Sequence, residues 1–225
     1  MTLQIKTFCA GIIFLLFYTF GLYINNFSIF FPFKILTSLL FVITGFISFY
    51  GNKNKSIKYT RFGKTILLGL VLSFCADVLL ELFFEIGFGF FFLAQITYLI
   101  ALIKINKPTK KNWLIISIIF IAFFFFEYFN PWTKLGILFW PLMIYLLLLI
   151  STSVISATQY KFSSFTVKFL AIGMLLFFIS DFVLQFKLFT DFSTNAKTWF
   201  GILNAILYFP CQFFIAYSLN KDFTK

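Results

Sequence analysis

Eight apolar runs of 17–23 residues follow one another along this 225-residue chain. They cover approximately 8–24, 33–50, 64–84, 88–104, 112–128, 134–156, 166–186 and 198–219. About 20 apolar residues in helix span the hydrocarbon of a bilayer. A strand needs only about half that length, and water-free hydrocarbon tolerates only backbones that satisfy their own hydrogen bonds. The runs are therefore expected to be helices, and the fold class all-α: a polytopic membrane protein with eight transmembrane helices. Breakers separate the runs: Asn25-Asn26 and Pro32, Gly51-Asn52, Gly87, Pro108, Asn130-Pro131, and the stretch from Asp191 to Asn195. The cut near 81–90 is the weakest, because Glu81, Glu85, Gly87 and Gly89 interrupt it only mildly.

Almost nothing remains for a soluble domain. The chain is 61% hydrophobic and 11% charged, where a soluble fold carries about 25% charge. One integral membrane domain over 1–225 is expected. Forty Phe accompany abundant Ile, Lys and Asn, the mark of AT-rich coding, and Phe is expected mainly at lipid-facing positions. Cys9, Cys75 and Cys211 all lie in apolar runs and read as free thiols rather than a disulfide framework. The chain has no His, which removes the usual intramembrane zinc site and any imidazole acid or base. Nothing calls for a metal or another cofactor. The N-terminal run has no small-x-small cleavage site before Asn25 and reads as a retained first helix.

The net charge of +11 is a topology signal. Lys6, Lys53, Lys55, Lys58, Arg61, Lys64, Lys104, Lys107, Lys110, Lys111, Lys161, Lys168, Lys221 and Lys225 fall on one side. Lys34, Lys134, Lys187 and Lys197 fall on the other. The bias of 14 to 4 predicts an even number of spans with both termini cytoplasmic, as in a multi-pass protein of a bacterial inner membrane. It gives no basic patch on a soluble surface, so a nucleic-acid partner is excluded.

Two aspartates break the apolar pattern. Asp77 lies in LSFCADVLLEL and Asp181 in LFFISDFVLQF, 104 residues apart. A carboxylate at membrane depth costs a few kcal/mol at least. Tyr98 and Tyr208 recur 110 residues apart in the following runs, and Glu81 falls opposite Gln185. These offsets suggest two parallel four-helix repeats, approximately 1–107 and 108–225.

At 1.5 Å per residue, Asp77, Asp181, Gln95 and Asn204 all fall about 8–10 Å below one surface, with Tyr208 at about 15 Å. Ser73, Asp77 and Glu81 share one helix face at four-residue spacing, and so do Asn204, Tyr208 and Gln212. Gln95 and Tyr98 share a third face. These stripes are expected to face the bundle interior, since lipid penalises them. Ser73, Asn204 and Gln212 also suit plain interhelical hydrogen bonds, each contributing about 1 kcal/mol. Glu85 and Glu127 read as interfacial, solvated charges.

Asp77 within Leu72–Leu82, FLAQITY at Phe92–Tyr98, Ser180-Asp181, and YFPCQFFIA at Tyr208–Ala216 resemble the motifs of the YhhN family of membrane proteins, which includes animal lysoplasmalogenases. The resemblance covers about the last two-thirds of the chain. Ala76 stands where that family usually has Gly, and Gln95 where it usually has His. The resemblance implies hydrolysis of the vinyl ether bond of a lysoplasmalogen, a single-chain ether phospholipid of the membrane. The products are a fatty aldehyde and a glycerophospho-alcohol. It makes Asp77 and Asp181 the catalytic pair. Ser73, Glu81, Gln95, Tyr98, Ser180, Asn204, Tyr208 and Gln212 would bind substrate or support them.

The residues suit such chemistry. A vinyl ether protonated on carbon becomes an oxocarbenium ion that water traps, and paired carboxyls serve such a reaction as they do in glycosidases. Lys187 and Lys197 are candidates to meet the substrate phosphate. Two other readings compete: a proton- or cation-coupled small-molecule transporter, since buried carboxyls also relay ions, and a non-catalytic lipid-binding membrane protein.

Overall fold

The computed structural model describes residues 3–51, 56–160 and 164–221. The basic residues Lys53, Lys55, Lys161 and Lys225 lie outside the described residues. Among the described residues there are eight long helices: α1 Leu3–Tyr23, α2 Phe27–Gly51, α3 Ile57–Leu82, α4 Phe84–Ile105, α5 Lys110–Phe129, α6 Phe139–Gln159, α7 Phe165–Phe189 and α8 Thr194–Tyr217. Each is long and apolar enough to cross a membrane. Among the described residues there is no strand, only one isolated bridge between Thr133 and Thr190.

Helix ends follow local chemistry. Ser56, Ser164 and Ser193 cap α3, α7 and α8 by accepting the backbone N–H of Tyr59, Val167 and Ala196. Thr109 and Asn112 cap α5 reciprocally. Asn25, at φ 52°, makes the left-handed turn between α1 and α2. The weakest boundary in the sequence is a real one: Phe83 alone joins α3 to α4. A Cβ on Gly87 would come within 2.3 Å of Leu80 N, so this hairpin requires glycine there. Pro32 does not separate spans. It lies inside the second turn of α2, where it supplies no backbone N–H to the helix, and α2 starts at Phe27 instead.

The α1–α2, α3–α4, α5–α6 and α7–α8 turns gather on one face of the bundle, the turn face. There Thr133 bridges Thr190, Tyr23 meets Trp199, and Phe84 meets Phe189. The start of α1 and the residues after α8 share the opposite face, where Gln4 Nε2 donates to Asn220 Oδ1 at 3.0 Å. α1 with α2, α3 with α4, and α7 with α8 form closely packed hairpins, and α2 and α8 pack together at the centre. α5 packs its backbone on α6 and reaches α7 through the Phe123 ring, 5.4 Å from those of Phe178 and Phe182. It is the least buried helix.

Only Lys134 of the four turn-face lysines is in a loop, and Lys197 lies in the first turn of α8. Lys34 sits within α2 and is buried, and Lys187 lies in the last turn of α7. Lys134 and Asp191 form an exposed ion pair between the two loops, and the Lys134 ammonium holds that carboxyl below the usual carboxylate range. A reporter active only outside the cytoplasm tests the orientation set by the basic residues. It is expected to be silent when fused after Lys107 and active when fused after Asp191. The reverse pattern would overturn cytoplasmic termini.

Candidate functional site

The polar stripes of α3 and α8 turn inward and meet side chains from five other helices. Asp77 is 2% exposed, and its Oδ2 accepts hydrogen bonds from Ser38 Oγ of α2 at 2.7 Å and Tyr208 OH of α8 at 2.9 Å. Asp181 Oδ2 accepts from Tyr145 OH of α6 at 2.5 Å, and its Oδ1 lies 3.3 Å from Ser180 Oγ. Each aspartate is thus held by a hydroxyl on the helix preceding its own. Aromatic neighbours fix the tyrosines: Phe91 and Phe177 stand edge-on to Tyr208, and Phe88 to Tyr145.

Asp77 and Asp181 both line one polar chamber near the turn face, with Tyr18, Lys34, Glu81, Lys187, Asn204 and Tyr208. It holds about 520 Å³ of atom-free space, its mouth included. Lys34 Nζ donates to Glu81 Oε1 at 2.7 Å, with side-chain exposures of 7% and 19%. Asn204 Nδ2 donates to Ser180 O at 2.9 Å, which ties α8 to α7 beside Asp181.

An apolar chamber of about 780 Å³, measured in the same way, lies alongside. The two share Leu80, Phe91, Asp181, Leu184 and Leu188 as wall residues. Asp181 therefore stands at their junction, whereas Asp77 belongs to the polar side alone. Seven Phe line the apolar chamber, namely Phe84, Phe88, Phe91, Phe123, Phe178, Phe182 and Phe189. Phe is thus used inside as well as toward lipid, where Phe17, Phe20, Phe125 and Phe129 are among those exposed.

The remaining expected site residues lie behind these walls. Ser73 Oγ is 3.1 Å from Tyr98 OH, which donates to Gln212 Oε1 at 3.2 Å. Gln95 Oε1 accepts from Thr152 Oγ1 at 3.1 Å. All four are buried and lie outside the walls of both chambers. They tie α3, α4, α6 and α8 together one turn or more deeper than the aspartates. An imidazole at position 95 would likewise sit behind the chamber.

Glu127 is not a solvated charge. It is 5% exposed, accepts from Gln185 Nε2 at 2.8 Å and Thr133 Oγ1 at 3.2 Å, and borders the apolar chamber. Both its oxygens find donors inside the fold, which offsets burial. Glu85 is exposed, as its place beside the α3–α4 turn implies. Among the described residues no group of three or more His, Cys, Asp or Glu is placed to hold a metal ion.

Sequence reasoning missed Tyr18, Lys34, Ser38 and Tyr145 as site residues. A signal existed for two of them: Lys34 and Ser38 stand four apart and share a helix face. With the second run started at 33, Lys34 looked like a loop lysine.

The family model described as the YhhN family matches residues 7–219. The chain belongs to the YhhN family. The match extends through α1 and α2, so the helices that bring Tyr18, Lys34 and Ser38 to the polar chamber belong to the family domain. No curated protein and no solved structure matches the chain.

Proposed function

We propose that this YhhN protein is a membrane-embedded hydrolase that cleaves the vinyl ether bond of lysoplasmalogen-like single-chain lipids. The observation that carries this reading is the position of Asp181, where a polar chamber holding Asp77 meets an apolar chamber. A single-chain ether lipid has the same division, with its reactive bond between tail and head. Membership of a family that includes lysoplasmalogenases supports it.

The proposed reaction needs no metal. One aspartic acid gives its proton to the vinyl carbon β to oxygen. The resulting oxocarbenium ion faces the other, ionised carboxylate, which also takes a proton from the attacking water. The hemiacetal then breaks its bond to the glycerol oxygen, releasing aldehyde and glycerophospho-alcohol. The net change is addition of one water. Low-dielectric surroundings strengthen both the proton transfer and the ion pairing. Tyr208 and Tyr145 orient the carboxyls through their hydroxyls.

The test is purified protein with a lysoplasmalogen, scored for free aldehyde. No aldehyde across a range of single-chain vinyl ether lipids would overturn the reading. A second prediction concerns the tail. Leu146 lines the apolar chamber and is partly buried against the core, so Leu146→Trp removes tail space. If it displaces two methylenes, at about 0.8 kcal/mol each, kcat/KM for long-chain substrates falls about tenfold. Short-chain substrates are unaffected. An equal loss at every chain length would place the tail elsewhere.

A further inference from the structure

Three carboxyls, Asp77, Glu81 and Asp181, and two lysines, Lys34 and Lys187, line the polar chamber, and only one of the lysines is in an ion pair. Lys34 is matched by Glu81 at 2.7 Å. Lys187 lines the same chamber. Among the described residues it makes no ion pair within 4.0 Å and no side-chain hydrogen bond. The other turn-face lysines are differently placed: Lys134 pairs with Asp191, and Lys197 forms no part of either chamber wall.

Lys187 is also held in position. Its stem lies across Gly201 of α8, where an added Cβ would meet Lys187 Cδ at 3.3 Å and Cε at 3.5 Å. Glycine at 201 thus leaves room for the end of the side chain, since an added Cβ would also lie 3.7 Å from Lys187 Nζ, and Lys187 lines the chamber wall. The carboxylates of Glu81 and Asp77 share the chamber, with Lys34 beside both. An anionic group entering from the turn face meets Lys187 first and Asp181 about one and a half helical turns deeper, since six residues separate them on α7.

We infer that Lys187 is the anchor for a phosphate on the ligand, seated by Gly201, and that it makes the protein select phosphate-bearing single-chain lipids over neutral ones. This deepens the hydrolase reading and rests on it for the lipid class. A phosphate oxygen supplies the anionic acceptor that a half-buried ammonium lacks, and its distance from a vinyl ether across the glycerol suits the spacing along α7. Lys187 is a specificity residue in this scheme and takes no part in proton transfer.

The experiment uses two saturated, uncleavable ether lipids of equal tail length: a 1-O-alkyl-glycero-3-phosphate and a 1-O-alkylglycerol. Binding to the purified full chain in a neutral maltoside detergent is measured by competition with a fluorescent single-chain ether lipid. Wild type is expected to prefer the phosphate lipid by about tenfold or more, the scale of a charge-assisted hydrogen bond. Lys187→Gln lowers the ratio of phosphate-lipid to alkylglycerol affinity to about one, while Lys187→Arg keeps it. Gly201→Ala, which crowds the stem, reduces it with Lys187 intact. Equal binding of both lipids by wild type, or an undiminished preference in Lys187→Gln, overturns the inference. Displacement of the phosphate lipid by millimolar inorganic phosphate overturns the head-group assignment in favour of free phosphate. A phosphate preference in binding without aldehyde from vinyl ether lipids leaves the anchor standing and removes the hydrolase reading.

Discussion

Under the proposed hydrolysis, Asp77→Asn and Asp181→Asn are each expected to lower aldehyde release by about 10²–10⁴-fold, the usual contribution of a general acid or base. Both proteins still insert and fold. Asn keeps the shape and accepts the bonds that Ser38 and Tyr208 give Asp77 and that Tyr145 gives Asp181. It can neither donate an acid proton nor carry negative charge. The two losses are not additive, because either residue alone leaves the proton path incomplete. Tyr98→Phe has a small effect, since its hydroxyl ties Ser73 to Gln212 behind the chamber. Tyr208→Phe has an intermediate one, since its hydroxyl touches Asp77. Full activity in the doubly substituted protein would end the two-aspartate mechanism.

The second large effect is on stability. Lys34→Met leaves Glu81 without its cation, and Glu81→Met leaves Lys34 without its anion. Removing one partner of a buried pair costs about 3–5 kcal/mol, on the order of 10 °C in melting temperature for a chain of this size. Replacing both residues by Met keeps the volume and removes both charges, and recovers most of that loss. The double substitution therefore costs far less than the sum of the singles, a large negative interaction energy when destabilisation is counted positive. Thermal unfolding in detergent of the four proteins measures it. If the double variant is as unstable as the sum of the singles, the pair is not the unit described here.

The sequence made the α3 and α8 stripes legible because both obey the helical repeat. Ser73, Asp77 and Glu81, and Asn204, Tyr208 and Gln212, return to one face every four residues. Depth was legible for the aspartates, because rise per residue is constant; Gln95 lies deeper than expected because α4 begins at Phe84 and not at 88. Partnership was not legible. Tyr145 is one tyrosine in an apolar run, and its bond to Asp181 depends on α6 lying beside α7. Glu127 looked like an interfacial charge until Gln185 and Thr133 met it from another helix and a loop.

Eight spans, their approximate ends and the presence of costly carboxyls were determined by the sequence alone. Hydrocarbon thickness sets helix length, and hydrocarbon tolerates few charges, so both follow from composition along one dimension. Tertiary structure alone decided which stripes face the same space. It drew Lys34 and Lys187 out of the loops and into a chamber wall, and set Asp181 between a polar and an apolar chamber. The physical reason is that a helix's rotation and its neighbours are fixed by packing of small and aromatic residues from distant segments. Gly11 against Phe213 and Gly69 against Tyr98 are two such contacts, and the local pattern that forms each helix contains no information about them.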